Sequence, residues 1–201
     1  MRFDSDPIIT RIRSVLEEIE IRDGEDQIQK KGQRRAAVLM PLVKRDNWKV
    51  IFTQRPETMP THAGQISFPG GKIETGETAI QAAFRETHEE IGLSQNLISM
   101  IGRLPSFNAA SSFRVTPFVG IVDPEANIIA DPMEVAEAFE VPLECFFRPE
   151  NHIPHHVTHV EKPFTIIDMP YTGQDGVCRH IWGMTAMIIY RLYQRGFADA
   201  A

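Results

Sequence analysis

Residues 71–77 read Gly-Lys-Ile-Glu-Thr-Gly-Glu and residues 85–93 read Arg-Glu-Thr-His-Glu-Glu-Ile-Gly-Leu. A glycine-shaped loop therefore precedes an acidic segment with helical spacing. Thr78 and Gln81 have the separation of a capping box, in which the threonine closes the helix start and the glutamine reaches back to its backbone. Advancing about 100° per residue puts Ile80, Phe84, Thr87 and Ile91 on one stripe and turns Glu86, Glu89 and Glu90 away from its centre. Gly92 is the expected stop, since the position after a helix often needs positive φ. Glu86, Glu89 and Glu90, three and four residues apart, share neighbouring parts of one surface. A divalent cation relieves their repulsion, neutralises a polyphosphate and makes water a better nucleophile.

Taken together, Gly71, Glu77, Arg85-Glu86, Glu89-Glu90, Gly92 and the hydrophobic residue after it resemble the motif of the Nudix hydrolases. Polar Thr87 departs from the aliphatic residue favoured there, although its methyl can still pack. The preceding run, with Thr53, Arg55, His62, Gly64-Gln65 and Phe68-Pro69-Gly70-Gly71, is similar to the longer motif of the coenzyme A pyrophosphatase branch. The resemblance implies the Nudix fold and hydrolysis of the phosphoanhydride of coenzyme A or acyl-coenzyme A. The implied products are 4′-phosphopantetheine, free or acylated, and adenosine 3′,5′-bisphosphate.

Glu86 and Glu90 are the leading metal-ligand candidates, with Glu89 binding a second cation or orienting water, and the resemblance adds the carbonyl of Gly70. Hard carboxylate donors favour Mg²⁺, with Mn²⁺ the alternative. Without the motif, three such acids are as often a solvated surface cluster. Glu77 and Arg85 are expected to brace the loop against the helix. Arg55, His62, Gln65 and Phe68 are substrate-binding candidates on the branch motif; a surface salt bridge competes for Arg55. Glu134 is the candidate base from outside the helix, with Glu137 its competitor and an ordinary acidic helix face the alternative for both. Lys44, Arg114 and Arg179 are the basic residues open to a 3′-phosphate. His152, His155, His156 and His159 form no recognisable zinc motif and are read as a polar loop or strand. Cys145 points toward packing, and Cys178 has no sequence-local base, so neither supports a cysteine nucleophile.

Beyond the motif, Ala36–Val43 and Trp48–Phe52 read as a hairpin. Further strands are expected at 97–104, 114–122, 165–169 and 178–182, with Pro117 favouring an edge or a local irregularity. A last helix follows from Gly183 through Gln194, with Thr185 capping or packing. The predicted class is α/β: a single Nudix-like α/β/α sandwich with a mixed sheet, carried by residues 27–201. Residues 1–26 form an N-terminal helical extension. Its helix is expected from Pro7 to Ile19, with Ile8, Ile12, Val15, Leu16 and Ile19 on one face, and a turn at Asp23-Gly24-Glu25 follows. That face can dock on the fold or form a homodimer.

With 201 residues the chain is long enough for one sizeable core. A formal charge of -6 argues against nucleic acid as a partner. Two cysteines, no hydrophobic leader and no membrane-length apolar run point to a cytoplasmic protein without a membrane partner. The same acidic helix serves ADP-ribose, a dinucleotide or a nucleoside triphosphate equally well. A noncatalytic nucleotide-binding module is the alternative of a different class.

Overall fold

The computed structural model describes residues 3–18, 33–108, 113–158 and 164–198. Strand β1 (Arg34–Lys44) is its central element, and alternation along it divides the core. Ala37, Leu39 and Val43 face one cluster, while Met40 and Leu42 face the other, so the strand reads as a nearly continuous apolar run. It runs parallel to β7 (Phe113–Val122) over its whole length and antiparallel to β2 (Trp48–Gln54) across the expected hairpin. On the same edge as β2, but nearer its start, β1 pairs with β4 (Gly70–Lys72). The chain passes between these two partners through β3 (Ile66–Ser67), which pairs with the end of β2.

The mixed sheet is completed by β5 (Ile98–Arg103) and β6 (Phe107–Asn108) against β7, and by β8 (Glu137–Pro142) against β2. One face carries helix α2 (Ala79–Ile91). The other packs against α1 (Pro7–Arg13), α3 (Gly183–Gly196) and an antiparallel sheet of β9 (Ile153–Val157), β10 (Phe164–Thr172) and β11 (Cys178–Trp182). The α/β/α expectation holds. The separate three-stranded sheet adds to it, and its first strand comes from the histidine-rich run. Thr185 acts in packing, its hydroxyl donating to the Ile66 carbonyl at 3.3 Å. Among the described residues no helix is long and apolar enough to cross a membrane.

Helix α2 has the expected ends. The Thr78–Gln81 capping box is formed, and Gly92 takes a left-handed conformation at φ 69°. Its buried stripe is rotated from the expected one, however. Ala82, Ala83, Thr87, Glu90 and Ile91 are buried, whereas Ile80 and Phe84 are only half-buried. Small Ala83 and Thr87 let the helix approach the sheet closely, and Glu90 follows them at i+7 of the same row. The Thr87 hydroxyl is satisfied within the helix by the Ala83 carbonyl at 2.6 Å.

Other expectations change as well. Helix α1 ends at Arg13 and does not reach Ile19, which lies outside the described residues together with the 23–25 turn and the 26/27 boundary. Asp6 caps it through the amides of Ile8 and Ile9; beyond it the chain turns and Glu17 bridges to Arg103. Ile9 and Ile12 sit inside the core while Ile8 is exposed, so its apolar face is covered by its own fold. Pro117 lies in central β7, and of the two expected settings, edge or local irregularity, the second is found. Its carbonyl accepts from the Leu104 amide at 2.9 Å. On that side β5 ends at the Arg103–Phe118 pair and β6 begins at Phe107–Val115, so the missing N–H falls in the gap between ladders.

Phe68, expected at the substrate, is instead 2% exposed and stacks on Phe52 with ring centroids 5.2 Å apart. It stands just after β3 and enters the same core cluster as Phe52 and Phe146. Phe68→Ala is therefore expected to lower the unfolding free energy by about 3–5 kcal/mol, measured by urea denaturation. A loss below about 1 kcal/mol would remove Phe68 from the core it is assigned to.

Candidate functional site

The split between β2 and β4 places Gly70 and Gly71 directly under the acidic side of α2. Gly70 has φ 151°, and a Cβ there would lie 2.4 Å from the Ala37 carbonyl oxygen. At Gly71 a Cβ would lie 2.5 Å from the carboxyl of Glu86. At Gly70 the obstacle is the backbone of β1 and the φ is one that side chains rarely adopt, so glycine is required there, whereas a side chain at Gly71 would displace the Glu86 carboxyl. The backbone of Gly70 favours the charged form of Glu90, and its carbonyl is the candidate metal ligand from the sequence.

Arg85 connects loop and helix. Its Nε is 2.9 Å from Glu77 Oε1 and its Nη2 is 3.1 Å from Glu77 Oε2, a two-pronged pair. Nη2 also donates to the Lys72 carbonyl at 3.0 Å, and Nη1 reaches Glu86 at 2.9 Å and Glu89 at 2.8 Å. Glu77 additionally accepts from the Glu74 amide at 3.0 Å. The expected brace is thus present as geometry, and the Arg85 hydrogen bonds hold the Glu77 carboxyl below the usual range. The Lys72 carbonyl was missed, because a backbone acceptor leaves no residue-type signal.

The three acids divide by environment. Glu89 is exposed. Burial pushes the Glu86 carboxyl up, with Arg85 partly opposing. Glu90 is 5% exposed rather than turned to solvent, and its Oε2 has no hydrogen-bond partner. Burial, and after it the charge of Glu86, lift Glu90 from its ordinary 4.5 to about 8, while the Gly70 amide and Arg55 pull the other way. Among the described residues no three acidic, histidine or cysteine side chains stand ready-made around one point. Mg²⁺ does not need such a cage, since it keeps several waters and takes one or two carboxylates. The orphaned Glu90 oxygen, the paired burial of Glu86 and Glu90 and the hard donor set fit such an ion.

Glu134 arrives from a turn, not from the helix weighed as its alternative. Asp131 donates its amide to the Glu90 carbonyl at 3.0 Å, Glu134 donates to Asp131 at 3.0 Å, and Ala136 donates to Gln54 at 2.8 Å. The loop is so stitched between α2 and β2 that the exposed Glu134 raises both Glu86 and Glu90 by its charge. Glu137 stands in β8 and is held by Arg179 at 2.6 Å, which leaves Glu134 as the loop carboxylate facing the acids.

Arg55 carries a buried Nε without a partner. Its amide donates to the Gln65 carbonyl at 3.0 Å, and the Gln65 amide donates to His62 at 3.1 Å. His62 is exposed at φ 57°, so it and Gln65 fix the loop through their backbones. Of the basic residues weighed for a 3′-phosphate, Arg179 is engaged by Asp175 and Glu137. Lys44 lies at the far end of β1, six residues beyond Val38 and so about 20 Å from Gly70. A cleft of about 580 Å³ opens on the other side of the brace, between Glu74, Glu77, Phe84, Arg85 and His88. Arg85 is already surrounded by carboxylates there, so this cleft is a poorer place for a polyphosphate.

Residues 33–161 match the model of the NUDIX domain. A Nudix hydrolase NudL of Enterobacter sp. (strain 638), itself uncharacterized, is 37% identical over 169 residues, covering 80% of this chain and 82% of that protein. The NudL of Escherichia coli (strain K12 / DH10B) is 35% identical over 162 residues with the same coverage. In fold, the chain is similar to a MutT/nudix family protein from Enterococcus faecalis, with a TM-score of 0.54 at 20% identity over 83% of this chain and 62% of that one.

The raised Glu90 has a direct consequence for stability. Its folded value of about 8 lies above the ordinary 4.5, so its contribution is fully present below about 4.5 and is lost as pH rises through about 8. In chelator, urea midpoints of the native protein should fall from pH 5 to pH 8.5, and the Glu90→Gln variant should fall distinctly less. Parallel curves for the two proteins would contradict the assignment.

Proposed function

The chain belongs to the Nudix family, and we propose that it is a divalent-metal-dependent pyrophosphohydrolase that cleaves coenzyme A or acyl-coenzyme A at the phosphoanhydride. The observation that carries the metal-dependent part is buried Glu90 beside half-buried Glu86, with one Glu90 oxygen unpartnered and its proton held to about pH 8. Such a pair is costly until a cation sits against it. The coenzyme A part rests on the run from Thr53 to Gly71, which leads through β2, β3 and β4 from Arg55 to the acids.

Glu86 and Glu90 would hold Mg²⁺, or Mn²⁺ in its place. When bound, the cation supplies charge neutralisation for the diphosphate and acidifies water. The chain's own residues supply the rest. Glu134, exposed beside the pair, accepts the proton of the attacking water. Arg55, whose charge already acts on Glu90, faces the diphosphate. Glu89 orients water or serves a second cation. Arg85 and Glu77 keep the loop and helix in register. Addition of water to one phosphorus releases 4′-phosphopantetheine, or its acyl form, and adenosine 3′,5′-bisphosphate. A homodimer cannot use the apolar side of α1, where Ile9 and Ile12 are inside the fold; a monomer by light scattering at working concentration would reject stable dimerisation.

Purified protein incubated with Mg²⁺ and coenzyme A should yield the two products by mass spectrometry. Glu86→Gln and Glu90→Gln should each lower kcat at least about a hundredfold, more than Glu77→Gln. Hydrolysis of ADP-ribose, a dinucleotide or a nucleoside triphosphate without cleavage of coenzyme A would overturn the specificity. Binding across that panel with no turnover would favour the noncatalytic module.

A further inference from the structure

The outer face of the β9–β10–β11 sheet carries a second group of reactive side chains, separate from the acids of α2. Cys178 and His180 are two apart on β11, so they point to the same side, and both are exposed. The sulfur of Cys178 lies 3.7 Å from His180 Nε2. On its other side His180 Nδ1 lies 2.8 Å from Asp168 Oδ2. The register pairs Asp168 with Trp182 and Pro170 with His180, so Asp168 reaches the imidazole diagonally from β10.

Asp168 is the unexpected member. It is 9% exposed, and its Oδ1 is buried without a hydrogen-bond partner. A carboxylate kept in such a place favours a donor on the ring nitrogen beside it, so Nδ1 carries the hydrogen and Nε2 presents its lone pair to the thiol. Nucleophile, proton acceptor and orienting carboxylate then stand in series, the order by which a weak nucleophile is activated. His180, two residues along the expected strand and so on the same face as Cys178, is the base that the sequence alone did not assign to it.

We propose that Cys178 is a reactive thiol that undergoes exchange with low-molecular-weight disulfides. The Cys178 proton passes to His180 Nε2, and the sulfur bonds to one sulfur of the disulfide while the S–S bond breaks. The other half leaves as a thiolate and takes up the proton. Cys178 is oxidised to a mixed disulfide, and the leaving half is reduced to a thiol. Cys145, half-buried and with its thiol pushed up by burial, is the internal comparison.

The full-length protein is treated with 5,5′-dithiobis(2-nitrobenzoate), then separately with glutathione disulfide, and the modified cysteine is located by peptide mass. Cys178 should be modified ahead of Cys145, and Cys178→Ser should remove the fast phase. His180→Ala, a change at an exposed position, should slow it about tenfold at neutral pH. Asp168 is a positioning residue, so Asp168→Asn, with folding checked by circular dichroism, should shift the pH profile of the rate as His180→Ala does. Among the described residues, Asp168 on β10 faces the His180 ring, His155 on β9 lies 3.8 Å from the same Asp168 oxygen, and Asp175 in the turn before Cys178 is held by Arg179. Native-rate reaction in His180→Ala, prior modification of Cys145, or an unmoved profile in Asp168→Asn would each overturn the proposal.

Discussion

The guanidinium of Arg85 ties four acceptors to one point: Glu77, the Lys72 carbonyl, Glu86 and Glu89. Loop 72–77 and helix α2 are also joined by the cap at Thr78 and by Ile73, buried in one cluster with Ala82 and Ala83, but this hub is the charged link that fixes the acids against the loop. It also sorts the acids by charge. Those it touches are compensated in part, whereas Glu90, one turn beyond Glu86, has no contact with it and bears the full effect of burial.

Why the fold tolerates a buried acid follows from the packing beneath it. The row Ala83, Thr87, Glu90 faces β1 and β4, and its first two members are small enough to draw the helix against Gly70 and Gly71. A larger row would lift α2 and free Glu90 to solvent. Close packing and an unfavourable carboxylate environment are thus one feature, of the kind found where a protein keeps strain for use.

Local chemistry was legible in the sequence and distant chemistry was not. Both ends of α2 could be read from Thr78, Gln81 and Gly92, because a cap involves residues within one turn. The β1–β2 hairpin and the Glu77–Arg85 pair could likewise be read from short spacings and charge. Glu90 was misplaced because its burial depends on which side of α2 meets a sheet built from residues 34–44 and 113–122. Phe68 was assigned to substrate through its motif, although its ring stacks on Phe52 of β2, a partner distant in sequence. The length of α1 was overestimated, since the apolar pattern continues past Arg13 while the chain turns to bridge Arg103. Pro117 was read as marking an edge or a local irregularity, and which of the two it marks, a gap between two short partners on one side, is visible only in three dimensions.

With its carboxyl raised to about 8, Glu90 holds a proton at pH 7 that a cation bound there would displace. Calorimetric titration of Mn²⁺ into the protein at pH 7, repeated in buffers of different ionisation enthalpy, counts the protons released on binding. Release of close to one proton in the native protein, abolished in Glu90→Gln, is the expected result. Binding with no proton release, or with the same release in the Glu90→Gln variant, would contradict it.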